Sequence, residues 1–132
     1  MDDDTTDTVS APPESRHVSV WMNVAPDVVY DVAGDIDQMP RWAAGLADPA
    51  LGDVDVRFVG DNGFGVLDHI VRLPSGDEIY NPMRILPDAV RGDRCEVVFT
   101  VRRLPDMTDD QFDADAAAVA ADLQTLKRLV GG

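Results

Sequence analysis

The sequence has very few of the residues on which redox and metal centres depend. Its 132 residues include one cysteine, Cys95, and two histidines, His17 and His69. A single cysteine excludes an internal disulfide and any multi-cysteine metal centre, and its place among alternating apolar residues indicates a small core side chain rather than a nucleophile. The two histidines lack the spacing of helical metal ligands. We therefore expect no metal and no cofactor.

Long apolar runs and phosphate-binding loops are also absent. No stretch approaches the roughly 20 apolar residues of a membrane-spanning helix, and the N-terminal residues lack the basic and apolar segments of a signal peptide. The glycines of residues 60–65, GDNGFG, lie in a turn composition with no helix after it, so they do not predict a phosphate site. These absences predict a cytoplasmic protein that does not enter membranes.

Positive charge is scarce, and this is the strongest compositional signal. The formal net charge is -14, and 22 of the 25 acidic residues are aspartates, whereas Lys127 is the single lysine. A chain of this charge repels phosphate groups, which argues against nucleic acid and anionic membranes as partners. We interpret the acidic residues as a solvated surface that keeps the protein soluble, the alternative being a cation-binding or protein-binding role.

The same charge predicts a salt dependence of stability. Like charges repel one another in the folded state, and salt screens them over a Debye length of about 10 Å at 0.1 M. We expect the melting temperature to rise between low and moderate NaCl concentrations. A melting temperature that stays flat or falls would show that the aspartates are already paired or hold a specific cation.

A change of hydrophobic period at Pro26 predicts the first elements. Apolar residues alternate over 18–24, as in a strand with one buried face. Pro26 is tolerated in the first turn of a helix, and apolar residues then recur at helical spacing as far as Gly34. A second short helix is predicted over 35–46. Trp42 in that segment is interpreted as a lid over one end of the core, or alternatively as a stacking platform.

Four further apolar runs predict an antiparallel meander. They cover residues 54–58, 64–73, 79–86 and 95–101. The connections between them are short and rich in Gly, Asp, Asn and Pro, which suits hairpins rather than parallel crossovers. Pro82 cannot donate a ladder hydrogen bond, so the third run should lie at an edge or carry a bulge.

A long C-terminal helix completes the predicted α+β fold. Thr108 and Gln111 have the spacing of a capping box, and an apolar stripe follows over 112–130. The polar face opposite that stripe includes Asp113, Asp122 and Arg128. An amphipathic helix needs an apolar surface to cover, and the sheet is the available one.

This order of elements resembles the helix-grip plan of the START-like, or SRPBCC, superfamily, in which a curved antiparallel sheet wraps around a long C-terminal helix. The strings that carry the resemblance are RHVSVWMNVAPDVVYDVAGDIDQMPRW, FGVLDH, NPMRI, EVVFT and FDADAAAVAADLQTLKRL. It covers residues 16–132, which we expect to form one domain, and residues 1–15 read as a disordered acidic tail. Only ADPALGD separates Leu46 from Val54, where the family usually has a further strand, so the sheet is expected to be shortened.

Three polar residues stand out within the predicted strands. Asp68 and His69 are adjacent, so their side chains should point to opposite faces and not form an acid–base pair. His69 shares its parity with apolar neighbours, which favours a hydrogen-bonded core histidine over a catalyst. We expect Arg84 to pair with Asp68 across strands, the alternative being that it projects into a cavity and meets a ligand.

The resemblance implies a protein that binds a small apolar or amphipathic molecule between the sheet and the last helix. The residues expected to contact that molecule are Trp42, His69, Met83, Arg84, Phe99, Val119 and Leu123. One alternative is a polyketide cyclase or dehydratase-like enzyme, in which His69, Asp68 and Arg84 would move protons. Another is a shortened helix-grip interaction module. We expect a monomer or weak homodimer whose partner is a small hydrophobic molecule.

Overall fold

The computed structural model of the protein describes residues 11–44, 54–60 and 63–132. Its elements are β1 (Ser15–Met22), α1 (Pro26–Ala33), a 3₁₀ turn (Met39–Arg41), β2 (Asp55–Phe58), β3 (His69–Arg72), β4 (Glu78–Asn81), β5 (Met83–Pro87), β6 (Cys95–Arg102) and α2 (Asp109–Leu129). The architecture is α+β, as the sequence predicts. The predicted shortening before Val54 and the end of the second predicted helix lie outside the described residues.

All the strand pairs are antiparallel. One group has the order β1-β6-β5 and the other the order β2-β3-β4. The two groups join where Val66 bridges to Arg84 and the Leu67 N–H donates to the Met83 carbonyl at 2.8 Å. Together they make the curved sheet of the helix-grip plan, with α2 packed against β1 and β6.

Pro82 divides the third predicted strand in two. Asn81, just before it, pairs with His69 in one strand group, whereas Met83, just after it, pairs with Phe99 in the other. The proline has no N–H to give to a ladder, but its carbonyl accepts from the Thr100 N–H at 2.9 Å. The expected interruption at Pro82 is therefore the point where the chain passes between the two groups.

The second predicted strand is shorter than expected. Its regular part begins only at His69, because the chain turns at Gly65 against β5. Gly65 has φ +74°, and a Cβ there would lie 2.5 Å from the Ile85 carbonyl oxygen. Its own carbonyl accepts from the Ile85 N–H at 2.8 Å. The absence of a side chain allows this close approach of two backbones.

The two helices begin as their sequences indicate. Pro26 is the first residue of α1, which buries Val29 and Ala33. In α2 the Thr108 side chain accepts from the Gln111 N–H at 3.1 Å and the Gln111 side chain accepts from the Thr108 N–H at 2.9 Å. Each bond supplies a partner for a backbone N–H that the first turn leaves unpaired. The second predicted short helix is only a 3₁₀ turn in the described part.

The core is formed by the sheet together with both helices, and it includes Val29 and Ala33 of α1. Phe112, Leu123 and Leu126 of α2 are fully buried, as the apolar stripe predicts. Arg16 of β1 lies over the Phe112 ring at 4.3 Å and forms an ion pair with Asp113 at 2.5 Å. In the described ranges, no helix is long and apolar enough to cross a membrane.

Candidate functional site

A cavity of about 770 Å³ lies between the sheet and α2. Its walls come from β3, β4, β6 and α2, from the 3₁₀ turn and the two residues after it, and from the segments that precede β1 and follow β6. Most of the lining is apolar, including Val71, Ile79, Phe99, Val101 and Val119. Apolar side chains cover these walls because alternate residues of each strand face the helix, and every third or fourth residue of α2 faces the sheet.

Five of the seven residues expected to contact a ligand line this cavity. They are Trp42, His69, Phe99, Val119 and Leu123. Met83 and Arg84 do not line it. Met83 lies opposite Phe99 in the ladder and is fully buried in the core. The structure thus places both residues outside the lining of this cavity.

Arg84 is instead paired with Asp68. The Asp68 carboxylate, which is 4% exposed, accepts from Arg84 Nε and Nη2 at 2.9 Å each. It also accepts from the Tyr80 hydroxyl at 2.8 Å and from the Met83 N–H at 3.0 Å. The Arg84 hydrogen bond is the main reason that the pKa of Asp68 falls from 3.8 to about 2. The predicted structural pair is confirmed.

Asp68 and Arg84 are therefore not cavity groups. Tyr80 touches the cavity, but its hydroxyl is committed to Asp68, whose hydrogen bond raises the pKa of that phenol. Of the three residues in the enzyme alternative, only His69 lines the cavity. The enzyme alternative requires at least two ionisable groups in one pocket, and the groups that line the cavity together with His69 include Asp115 and Asp122 rather than Asp68 and Arg84.

His69 is held in one orientation and one tautomer. Its Nδ1 lies 3.0 Å from the Leu67 carbonyl oxygen, which can only accept, so Nδ1 carries the proton. Nε2 is then an acceptor, and the Asn81 side-chain nitrogen lies 3.5 Å from it. Phe58 and Phe99 meet the imidazole ring edge-on at 5.9 and 5.7 Å. Burial is the main cause that lowers the pKa of His69, so the neutral form is favoured.

Trp42 is the second polar feature of the cavity wall. Trp42 is 3% exposed and lines the cavity, which is compatible with both a lid and a stacking platform. The indole Nε1–H is buried and has no acceptor among the residues that the structure describes. A buried donor without an acceptor is uncommon in folded proteins because it costs free energy relative to water. An occupant of the cavity could supply the acceptor.

Two carboxylates on α2 were not predicted as cavity residues. Asp115 and Asp122 both line the cavity, and burial raises the pKa of each. Asp122 also accepts from the Ala44 N–H at 3.2 Å. The assignment of Asp122 to the opposite polar face is wrong, because it lies three residues after Val119 and four before Leu126. That spacing was the signal available in the sequence.

The remaining candidate residues have structural roles. Cys95 is fully buried, and burial raises the pKa of its thiol, which favours the core side chain that was predicted over a nucleophile. His17 bonds through Nδ1 to the Thr100 hydroxyl at 2.8 Å and does not line the cavity. No three metal-ligating side chains are grouped to hold an ion in the described part of the chain.

Comparison with solved structures supports the fold. A protein from Thermus thermophilus aligns with 18% identity and a TM-score of 0.51 over 89% of this chain and 97% of its own. One from Chromobacterium violaceum aligns with 12% identity and a TM-score of 0.53 over 91% and 99%. An aromatase/cyclase from a Streptomyces species also matches, with 16% identity and a TM-score of 0.45 over 89% and 94%. Identities of this size relate folds and not activities.

No family model and no curated protein sequence matches the chain. The helix-grip fold is nevertheless shown by the element order, the curved antiparallel sheet and the long C-terminal helix. The likeness to solved structures extends over nearly the whole chain. The question of function therefore rests on the cavity.

Proposed function

We propose that the protein binds a small apolar or amphipathic molecule in the cavity between the sheet and α2. The observation that carries the proposal is the cavity itself, whose volume of about 770 Å³ falls within the range of ligand sites, roughly 300–1,000 Å³. Its walls are mainly apolar, with a few polar groups at defined positions. Ligand sites commonly combine apolar walls with a small number of polar anchors.

Two features of the wall support an amphipathic occupant over a purely apolar one. The Trp42 indole N–H lacks an acceptor in the described structure, and the donor to His69 Nε2 is the Asn81 amide at the long distance of 3.5 Å. An apolar occupant would leave the indole N–H without an acceptor and Nε2 with only its long hydrogen bond to Asn81. A molecule with one or two polar atoms would relieve that cost.

Trp42 also provides the experiment. Trp21→Phe leaves Trp42 as the single tryptophan, and we expect saturable changes in its fluorescence when an amphipathic ligand displaces water from the cavity. Fatty acids, lysolipids and aromatic polyketides form a suitable panel. Trp42→Phe is the matched variant, since it keeps Trp21, which is 49% exposed and lies beneath the Arg94 guanidinium at 5.5 Å. Most of the signal should be lost in it.

The outcomes separate the alternatives. Saturable binding without consumption of the ligand supports the proposal. Consumption that disappears in a folded His69→Ala variant would replace it by the enzyme alternative. The absence of any saturable signal or thermal shift across the panel would contradict a binding role for ligands of these kinds. The shortened interaction module would then be the remaining alternative.

A further inference from the structure

If the proposed binding function holds, the position of the proton on the His69 ring restricts the chemistry of the ligand. The Leu67 carbonyl fixes the proton on Nδ1, because a carbonyl oxygen cannot donate. Nε2 is therefore an acceptor. It belongs to a side chain that is 4% exposed and lines the cavity.

The protein satisfies this acceptor poorly. The nearest donor is the Asn81 amide at 3.5 Å, at the outer limit of hydrogen bonding. Asn81 lies directly opposite His69 in the β3–β4 ladder and also lines the cavity. An occupant that donates to Nε2 would complete the hydrogen bonding of the imidazole, and the Asn81 side chain could bond to the same group.

The class of donor follows from charge and surroundings. A carboxylate has no proton to donate and would face the lone pair of Nε2. An ammonium group would pair with the carboxylates of Asp115 or Asp122, which line the same cavity, in preference to a neutral imidazole nitrogen. A hydroxyl group donates while it remains neutral, and a phenol stays protonated at pH 7 because its pKa is near 10.

We infer that the ligand carries a neutral hydroxyl group, as in a phenol with an apolar tail, and that His69 is the residue that selects it by accepting the hydroxyl proton in a hydrogen bond. Phe99 holds the imidazole edge-on at 5.7 Å and lines the same cavity, so it provides an apolar surface beside the hydroxyl. His69 acts here as a specificity-determining residue and transfers no proton.

Three probes that differ only at the polar end test this inference. They are para-octylphenol, its methyl ether para-octylanisole, and para-octylbenzoate, each titrated calorimetrically into the full chain at pH 7.5. The phenol should bind about tenfold more tightly than the ether, the magnitude of one neutral hydrogen bond in a buried site. The benzoate should bind more weakly than the phenol.

His69→Phe should reduce the ratio of the phenol and ether dissociation constants to about one, while leaving the affinity for the ether close to the wild-type value. His17→Phe is the matched control, because it removes the other histidine, which lies outside the cavity lining, and it should preserve the wild-type ratio. Nitrogen-15 NMR of histidine-labelled protein gives an independent measurement. The Nε2 resonance of His69 should shift with the phenol and not with the ether, even if His69→Phe fails to fold.

Equal binding of phenol and ether by the wild-type protein would overturn the inference while the proposed binding function stands. So would a ratio that persists in folded His69→Phe, or a benzoate that binds more tightly than the phenol. If none of the three probes binds, the inference is overturned together with the proposed function for ligands of this kind.

Discussion

Leu123→Ala is expected to lower the free energy of unfolding by about 2–5 kcal/mol. Leu123 is 1% exposed and lies on the face of α2 that contacts both the core and the cavity. Truncation removes apolar contacts and enlarges an existing void, and the neighbouring side chains can close it only partly. Urea denaturation followed by circular dichroism measures the loss.

The expected loss is a large share of the roughly 5–15 kcal/mol that stabilises a small domain. Leu86→Ala is the matched control, because Leu86 is 44% exposed on β5. This substitution should lower the free energy of unfolding by less than about 1 kcal/mol. Equal denaturation midpoints for Leu123→Ala and the wild type would contradict the packing of α2 on the sheet.

Asp68→Ala should have the second-largest effect, about 2–4 kcal/mol. The substitution leaves the buried Met83 N–H without its acceptor and frees Arg84 and Tyr80. These three partners lie on either side of Pro82, where the ladder is interrupted. The Arg84 side chain is half-exposed and can return to water, so the loss should be smaller than for a fully buried ion pair. Chemical denaturation again provides the measurement.

The contribution of Asp68 to the free energy of unfolding should decrease as the pH falls. Its pKa falls from 3.8 to about 2 in the folded protein, mainly because Arg84 donates to it. A lowered pKa means that the carboxylate stabilises the fold above about pH 4 and that this stabilisation is lost as the pH falls toward 2. The stability difference between the wild type and Asp68→Asn should shrink over that interval.

Asp93→Asn is the control for this prediction, because Asp93 forms an exposed pair with Arg91. Exposed pairs contribute little, so this variant should change stability by less than about 0.5 kcal/mol. A wild-type advantage over Asp68→Asn that stays constant between pH 6 and pH 2 would show that the charge of Asp68 does not stabilise the fold.

The sequence predicts those parts of the fold that depend on local chemistry. Pro26 begins α1, and Thr108 with Gln111 caps α2, because a helix terminus is completed by residues within one turn of it. Pro82 indicates an interruption. The sequence does not show that the strands on either side join different groups, because that depends on Thr100 and Phe99 of a distant strand.

The site is predictable to the extent that strand parity decides which face a side chain occupies. Parity predicts that His69 lies on the apolar face and that Arg84 and Asp68 can pair across strands. Parity does not show that Met83 lies outside the cavity lining, because the packing of α1 against β5 is a tertiary property. The polar face predicted for Asp122 is wrong, because a prediction from its charge neglects its helical spacing from Val119 and Leu126. The missing acceptor of Trp42 depends on three-dimensional packing and has no sequence signal.

The most direct test of a ligand-binding cavity is native mass spectrometry of the full chain purified from its own host, compared with Val119→Phe. Val119 lines the cavity, so the larger ring should occupy ligand space, whereas Val90→Phe adds the same ring at a residue that is 89% exposed and outside the lining. We expect a co-purified small molecule on the wild type and on Val90→Phe, and much less on Val119→Phe. The bare chain mass in all three proteins, or equal adducts on both variants, would contradict the account.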